Sequence, residues 1–328
     1  MSDIFSILDR PVEKDIFEDP DKMIISFIST DLFSYKTLEK SILSIDRIGE
    51  EVGKKYEILV GVKNNSRYDS FLFSDLERKI EPLSIIRIDT PNGGLAKRIA
   101  TNLSTGEFLV FFDSTISYDL DFADLISSYI RSGEKRVLLS DFIIINRDIL
   151  IHSGGYRDLS ISEDIDLLSR ISLYSNIIAF PVVTMRMILN QAIPVPALNR
   201  SERENFLKVG LRASGAFKDQ ILACNYSIQD LFNLIPKNRA NKITTKLQVL
   251  LARIMSTFSK TRPVKMGRNN YLMLMDKLLE SIILSDFKKF DDFRAKPLLR
   301  LSSEQYKYLE KSSKSWNSES LEGIVVVE

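Results

Sequence analysis

Apolar residues are distributed along the first 190 residues in two alternating patterns. Short apolar runs bounded by polar residues predict buried strands; they cover 23–29, 56–62, 83–88, 108–112, 136–145 and 176–183. Between them, apolar residues recur at helical spacing; these stretches cover 37–52, 69–79, 95–103, 122–131 and 160–174. Strands that alternate with helices predict an α/β fold with a mostly parallel sheet and helices on both faces.

The pattern changes near residue 190, after which the chain is largely helical by spacing, with prolines as breaks. We therefore predict three parts: a polar lead-in at 1–22, an α/β domain at 23–190 and a mainly helical region at 191–328.

Composition narrows the class of protein. The chain has 328 residues, 44% apolar and 27% charged, as in soluble globular proteins. One cysteine and one histidine argue against a disulfide framework and histidine-based zinc chemistry. His152 is therefore expected to be structural or exposed. No secretory signal and no run of about 20 apolar residues is found, so we expect a cytoplasmic protein.

Asp113 is the first candidate for chemistry. It follows the apolar run at 108–112 directly, in the stretch TGEFLVFFDST. Ligands of open α/β sheets bind beyond the carboxyl ends of the strands, where Asp113 would lie. A turn or helix-cap aspartate is an equally good interpretation of this residue alone.

Three acids, Glu163, Asp164 and Asp166, form the second candidate, at a predicted helix start after a Gly-Gly turn. A carboxylate there could act as a general base toward a hydroxyl. The alternative is structural: residues 160–163 read as a capping box, first-turn acids complement the helix dipole, and Asp166 can pair with Arg170.

A glycine turn followed by two cations is the third candidate, Gly93-Gly94-Leu95-Ala96-Lys97-Arg98. It suits the approach of a phosphate to a helix start, but it matches neither a dinucleotide-binding nor a P-loop pattern. A loop with a solvated basic face explains it equally well.

Taken in chain order, these pieces resemble the family-2 type of glycosyltransferase, which has the nucleotide-sugar-binding GT-A fold. The resemblance spans about residues 23–183 and rests on seven stretches: IISFIST, TLEKSILSI, YEILVGVKNNS, GGLAKR, TGEFLVFFDST, SGGY and EDIDLLSR. The pairing of Gly-Gly-Tyr with Glu-Asp-x-Asp-Leu is its most specific part.

The resemblance implies inverting transfer of one sugar from a nucleotide donor to an acceptor hydroxyl. Asp164 matches the catalytic base, with Glu163 beside it. Asp113 matches the first carboxylate of the Asp-x-Asp motif, which holds a divalent cation (Mg or Mn) and the diphosphate. Thr30 falls where the first strand meets the nucleotide, and Gly154, Gly155 and Tyr156 fall on the acceptor side.

Two departures from the family pattern bear on the donor. Thr115 stands where the second aspartate of the motif is expected, which weakens the case for a cation. Lys63 stands where an aspartate usually contacts the base, so a uridine donor does not follow. We hypothesise that Lys63, with Lys97 or Arg98, directs positive charge toward the diphosphate.

The acceptor side gives broader expectations. The Gln/Arg-x-x-Arg-Trp signature of processive synthases is missing, which indicates a single addition, with a lipid-linked or surface glycan as the expected acceptor. Residues 237–268 carry nine Lys/Arg, no acid and an apolar stripe. That stripe either packs on the catalytic domain or lies on an anionic membrane surface; nucleic acid is disfavoured. Residues 271–284 suggest a buried helix or a homodimer contact.

The sequence is also compatible with two other functions. A non-catalytic nucleotide-sugar or glycan-binding relative would explain the departures at Thr115 and Lys63. A nucleotidyltransferase of similar fold is the third interpretation, although the Gly-rich first loop expected of it is absent.

Overall fold

The computed structural model describes residues 24–30, 35–62, 67–90, 92–131, 136–175, 177–179, 206–235, 243–262, 270, 273–274, 299–301 and 325–327. The predicted lead-in at 1–22 and the predicted boundary near residue 190 lie outside these residues. So does nearly all of the stretch 271–284, and the three interpretations remain predictions.

The strands and helices follow the predicted alternation. The strands are β1 Ile25–Ser29, β2 Tyr56–Val62, β3 Leu83–Arg87, β4 Phe108–Phe112, β5 Val137–Leu139, β6 Phe142–Asn146, β7 Ile177–Ala179, β8 Leu299–Leu301 and β9 Val325–Val327. The helices are α1 Tyr35–Val52, α2 Arg67–Lys79, α3 Gly93–Leu103, α4 Asp121–Arg131, α5 Arg147–His152, α6 Glu163–Ile171, α7 Phe206–Cys224, α8 Ile228–Leu234 and α9 Ile243–Thr257.

Seven strands form one sheet in the order β3-β2-β1-β4-β6-β5-β7. Four of its six neighbour pairings are parallel, and β6 runs antiparallel to both of its neighbours. The predicted α/β class with a mostly parallel sheet is confirmed. Strands β8 and β9 pair separately, in parallel.

Two hydrophobic clusters cover the two faces of the sheet, as the near-continuous apolar strands require. On one face, side chains of β1, β2 and β4 pack against α1, α2 and α4. On the other, Ile28, Leu109 and Phe111 belong to a cluster shared with α3, α6, α7 and α8. Alternate residues of one strand thus serve two cores, which fixes the register of β1 and β4.

The prediction of one strand over residues 136–145 is wrong. The chain turns at Ser140 and Asp141, and β5 and β6 form an antiparallel hairpin. The backbone N–H of Ser140 donates to the Phe142 carbonyl, and the Tyr118 hydroxyl donates to the Asp141 carbonyl at 3.2 Å. Neither turn residue is glycine or proline, so the apolar run read as continuous. Residues 149–151 lie in helix α5.

The helices of the C-terminal half join the core of the sheet rather than packing only among themselves. Phe217 and Ile221 of α7 lie in the same hydrophobic cluster as Phe111 of β4. The Asp219 carboxylate of α7 accepts a hydrogen bond from the Ser160 backbone N–H at 2.7 Å, so α7 also holds the loop before α6. Within the described residues no helix is both long and apolar enough to cross a membrane.

A close backbone contact fixes the start of α3. The side chain of Asn92 caps the helix by accepting from the Leu95 N–H, and the Gly94 N–H donates to the Leu159 carbonyl at 2.9 Å. A Cβ atom at Gly94 would lie 2.0 Å from the carbonyl oxygen of Arg157. Glycine is therefore required at position 94 because two backbone segments touch there.

We predict that Gly94→Ala lowers the free energy of unfolding by about 1–3 kcal/mol, since the backbone must move to admit the methyl group. Gly215→Ala is the matched control. Gly215 lies within α7, and a Cβ there has nothing within 4 Å. It should raise stability by about 0.5–1 kcal/mol through helix propensity. Urea unfolding measures the free energy of unfolding of both variants. Equal changes in the two would contradict the close backbone contact at Gly94.

Candidate active site

The carboxyl ends of β1, β2 and β4 form one edge of the sheet. Parallel pairing places Ile28 beside Phe111, and Thr30 and Asp113 are each the first residue after these two strands. On the other side of Thr30, a Cβ at Gly61 would lie 3.3 Å from its methyl group. Thr30 is buried and Asp113 is partly exposed. Thr30 and Asp113, both predicted from the sequence, therefore lie at the edge where a ligand of an open α/β sheet binds.

Asp113 begins a tight turn that involves Thr115. Its Oδ1 accepts hydrogen bonds from the Thr115 N–H at 2.8 Å and from the Thr115 hydroxyl at 2.6 Å. Its own N–H donates to the Tyr118 hydroxyl at 2.8 Å. Both interpretations of Asp113 thus hold together: the aspartate makes an Asx turn, and it also lies at the edge of the sheet.

A divalent cation is poorly served by this turn. Thr115 has a hydroxyl group where an Asp-x-Asp motif has its second carboxylate, and that hydroxyl donates a hydrogen bond to Asp113. Among the described residues, no group of three or more His, Cys, Asp or Glu side chains could hold a metal ion. One carboxylate already engaged by two donors does not fit a resident divalent cation, which prefers several oxygen ligands.

The acid pair Glu163–Asp164 occupies the first turn of α6 and is held by one cation. The Lys97 ammonium of α3 donates to Asp164 Oδ1 at 2.8 Å and Oδ2 at 2.6 Å, and it lies 3.0 Å from Glu163 Oε1. The Tyr156 hydroxyl donates to Asp164 Oδ1 at 3.0 Å. Asp164 is wholly buried, whereas Glu163 keeps 7% of its surface exposed.

Burial dominates the electrostatics of this group. Among the described residues the Lys97 ammonium faces both buried carboxylates, and a second buried negative charge is costly. Burial raises the pKa of Glu163 above its ordinary value, and the Asp164 charge raises it further while Lys97 opposes the shift. Burial, followed by the charge of Asp164, raises the pKa of the Tyr156 hydroxyl well above its usual range. Tyr156 therefore serves as a hydrogen-bond donor.

The residue before the pair is in an unusual conformation. Ser162 has φ of 63° and ψ of 21°, in the left-handed region, and its side chain makes no cap hydrogen bond. The predicted capping box at 160–163 is therefore wrong; the helix starts later than that pattern implied. A non-glycine residue held in this region stores strain, and such residues concentrate at functional sites.

Asp166, the third acid, has a structural environment. It is buried between two guanidinium groups: Arg157 contacts it, and Arg170 donates to its Oδ2 at 3.0 Å and 2.9 Å. The predicted pairing with Arg170 is thus confirmed. Arg170 also donates to the Gly155 carbonyl at 2.6 Å. Buried charges arranged in this way fix the loop in front of the acid pair.

The Gly-Gly turn is required by backbone conformation. Gly154 and Gly155 have φ of +80° and +65°, values that other residues rarely adopt. The turn leads into Tyr156, whose ring packs edge-on against Phe111 of β4 at a centroid distance of 5.2 Å. Through this contact the sheet edge below Asp113 supports the tyrosine that donates to Asp164.

The predicted basic residues and His152 have the following environments in the structure. Lys97 was expected near the diphosphate, but in the structure its charge is directed at the acid pair. Arg98 forms a surface ion pair with Asp158 at 2.8 Å. Lys63 lies outside the described residues. His152 is exposed, as expected, and its Nδ1 lies 2.7 Å from the Asp148 carbonyl.

Sequence reasoning missed three residues of this site: Arg157, Asp219 and Ser162. Asp219 acts over 59 residues, and Arg157 contacts Asp166 across the loop before α6; no spacing rule signals either contact. The left-handed Ser162 had only the weak signal of a serine beside a helix start.

A scan against models of known protein families finds no match, and neither does a search of curated proteins. Solved structures that are similar to the chain include TarS 1-349 of S. aureus, at 15% identity and a TM-score of 0.45, covering 83% of this chain and 89% of that one. The same TarS fragment in complex with UDP-GlcNAc is 14% identical, with a TM-score of 0.45 and coverage of 83% and 90%. The mannosyltransferase PcManGT from Pyrobaculum calidifontis, in complex with GDP-Man and Mn²⁺, is 11% identical, with a TM-score of 0.44 and coverage of 77% and 92%.

We predict that Lys97→Met destabilises the protein by about 3–5 kcal/mol, because it leaves two buried carboxylates without their cation. The double variant Lys97→Met/Asp164→Asn should recover part of that loss, since one of the two buried charges is then removed. Urea unfolding at fixed pH measures both. No recovery in the double variant would show that Lys97 stabilises the fold by packing alone.

A second prediction concerns pH. The raised pKa of Glu163 means that the folded protein binds a proton more readily than the unfolded chain. Stability from this group is full below its ordinary value of 4.5 and is lost as pH rises through the raised folded value. Glu163→Gln should flatten that part of the curve of unfolding free energy against pH. An unchanged slope in the variant would contradict the assignment.

Proposed function

We propose that the chain is a glycosyltransferase that moves one sugar from a nucleotide-sugar donor to an acceptor hydroxyl with inversion. The observation that carries the proposal is the buried acid pair Glu163–Asp164, held by Lys97 and Tyr156 next to the carboxyl edge of the sheet. A pKa raised by burial gives a carboxyl group that can exchange a proton nearer to neutral pH than an ordinary glutamate. The sequence resemblance supports the same reaction.

The position of the pair supports this use. Helix α3 begins just after β3, on the carboxyl edge, and its Gly94 touches the loop that leads into α6. The pair therefore lies next to the same edge as Thr30 and Asp113. A donor bound over that edge would place its leaving diphosphate near Asp113, and an acceptor would approach from the Gly154–Tyr156 side.

The reaction then needs little beyond positioning and one proton acceptor. The acceptor hydroxyl loses its proton to the acid pair as its oxygen bonds to the anomeric carbon. The bond from that carbon to the diphosphate oxygen breaks on the opposite face, and the nucleoside diphosphate leaves with the electron pair. The proton taken from the acceptor returns to solvent when the products depart.

The two acids have different access to the acceptor. Asp164 is our proposed general base, but its oxygens are engaged by Lys97 and Tyr156 and it is fully buried. Glu163 has the raised pKa and the more exposed carboxyl group. Either Lys97 withdraws when the substrates bind, which exposes Asp164, or the proton passes first to Glu163.

Four residues are proposed to contact the donor. Thr30 and Asp113 contact the nucleotide and its diphosphate, while Lys63 and Arg98 supply positive charge. Any divalent cation would be brought by the donor and held mainly by its diphosphate oxygens. A sugar acceptor on a lipid-linked or surface glycan remains our expectation.

One observation favours a second candidate function. The complete burial of Asp164 in an ion pair is also what a non-catalytic nucleotide-sugar-binding relative would retain for stability. Such a protein would bind a donor without releasing nucleoside diphosphate from it.

We expect release of nucleoside diphosphate from at least one member of a panel of nucleotide sugars, measured with Mg²⁺, with Mn²⁺ and with chelator. Asp164→Asn should lower turnover by about 10²–10⁴-fold, the usual contribution of a general base. Glu163→Gln, assayed in parallel, shows which acid accepts the proton. Asp119→Asn, at an exposed aspartate, is the control and should match wild type.

Each variant is first checked for folding by thermal denaturation and for donor binding by calorimetry. Donor binding by wild type without any turnover would favour the non-catalytic candidate. Full turnover in both Asp164→Asn and Glu163→Gln would overturn the role of the acid pair.

A further inference from the structure

Helix α9 packs with its small residues and exposes its large ones. Its buried positions are Thr245, Val249, Ala252 and Ser256, which face α7. Five large apolar side chains of α9, and Phe258 just after it, are between 37% and 83% exposed. We call them the apolar ridge; they are Ile243, Leu247, Leu250, Leu251, Ile254 and Phe258.

The helix period shows that the two sets lie on opposite sides. At about 100° per residue, the ridge is centred roughly 180° from the buried set. Of the two alternatives left by the sequence, packing on the catalytic domain is disfavoured: within the described part of the chain, α9 packs through its small residues and not through the apolar stripe at 243–258. Exposed side chains of this size in one contiguous row mark an interaction site.

The charges beside the ridge indicate what it meets. Lys246 and Arg253 project from the same flank of α9, and Lys260 and Arg262 follow its end; all four are exposed. Residues 243–262 contain no acid. An apolar row about 22 Å long with cations along its side is the arrangement of a helix that lies in the interface of an anionic bilayer.

A second copy of the chain fits the same surface less well. Two ridges in contact would bring the basic flanks of both helices together without any acid from this segment to offset them. Anionic lipid headgroups instead complement the flank while the acyl region takes up the ridge.

We propose that the apolar ridge and its basic flank are a docking surface for membranes that carry anionic lipids. The proposal stands on the exposure of α9 and does not depend on the proposed enzymatic reaction. It places the carbonyl of Arg262, which accepts from Arg157 at 2.7 Å, close to the bilayer. Arg157 also binds Asp166, so the docked segment is joined to the loop in front of the acid pair.

The test is flotation of the full chain with phosphatidylcholine vesicles and with vesicles that contain 30% phosphatidylglycerol. We expect binding to the anionic vesicles and little to the neutral ones. Leu247→Ser/Leu250→Ser should lower the bound fraction by at least about tenfold, because the apolar row is interrupted. Lys246→Gln/Arg253→Gln should lower binding to anionic vesicles by about tenfold.

The matched control is Leu103→Ser/Leu120→Ser, since these leucines are 55% and 52% exposed, close to the 60% and 52% of Leu247 and Leu250. It should bind as wild type does. Light scattering of all variants gives their molar mass. Equal binding by the ridge variant and the control would overturn the proposal. So would a wild-type dimer that does not float and that Leu247→Ser/Leu250→Ser converts to a monomer.

Discussion

The site depends on one ammonium group. Lys97 reaches from α3 to α6 and lies within 3.0 Å of both acids of the pair. Burying a carboxylate costs several kcal/mol unless a partner and hydrogen bonds compensate, and here one cation serves two acids. Burial raises the pKa of Glu163, and the charge of Lys97 opposes that rise. The same contact therefore affects both the stability of the pair and the acidity of Glu163.

The surroundings of the pair are built to hold that contact rigid. Gly94 lets α3 touch the loop before α6, and Asp219 of α7 holds Ser160 in the same loop. Below, Asp166 is fixed by two arginines. None of these residues needs to touch a substrate. They fix the start of α3 and the loop before α6, the two segments that carry Lys97 and the acid pair.

The sequence predicted the parts that depend on local pattern. The strand before Asp113 and the helices at α1 to α4 follow from apolar spacing, and Gly154–Gly155 follows from glycine alone. The hairpin at Ser140–Asp141 was missed because its turn has only two residues, neither of them glycine or proline. The partnership of Lys97 with Asp164 spans 67 residues and no spacing rule connects them. For α9, apolar spacing identified an amphipathic helix but not its packing side. The helix packs against α7 through small residues such as Ala252, which the apolar pattern does not mark.

The pairing of Ile28 with Phe111 has a consequence for how the chain can vary. Side chains of a strand alternate between faces, so deletion of one residue from β4 would exchange its two sets of core residues. Asp113 would then turn toward the face of α1 and α4, away from Tyr156 and the acid pair. A change of length between Gly106 and Asp113 would therefore move Asp113 out of its place in the site. The edge of the sheet keeps its chemistry only while that count is preserved.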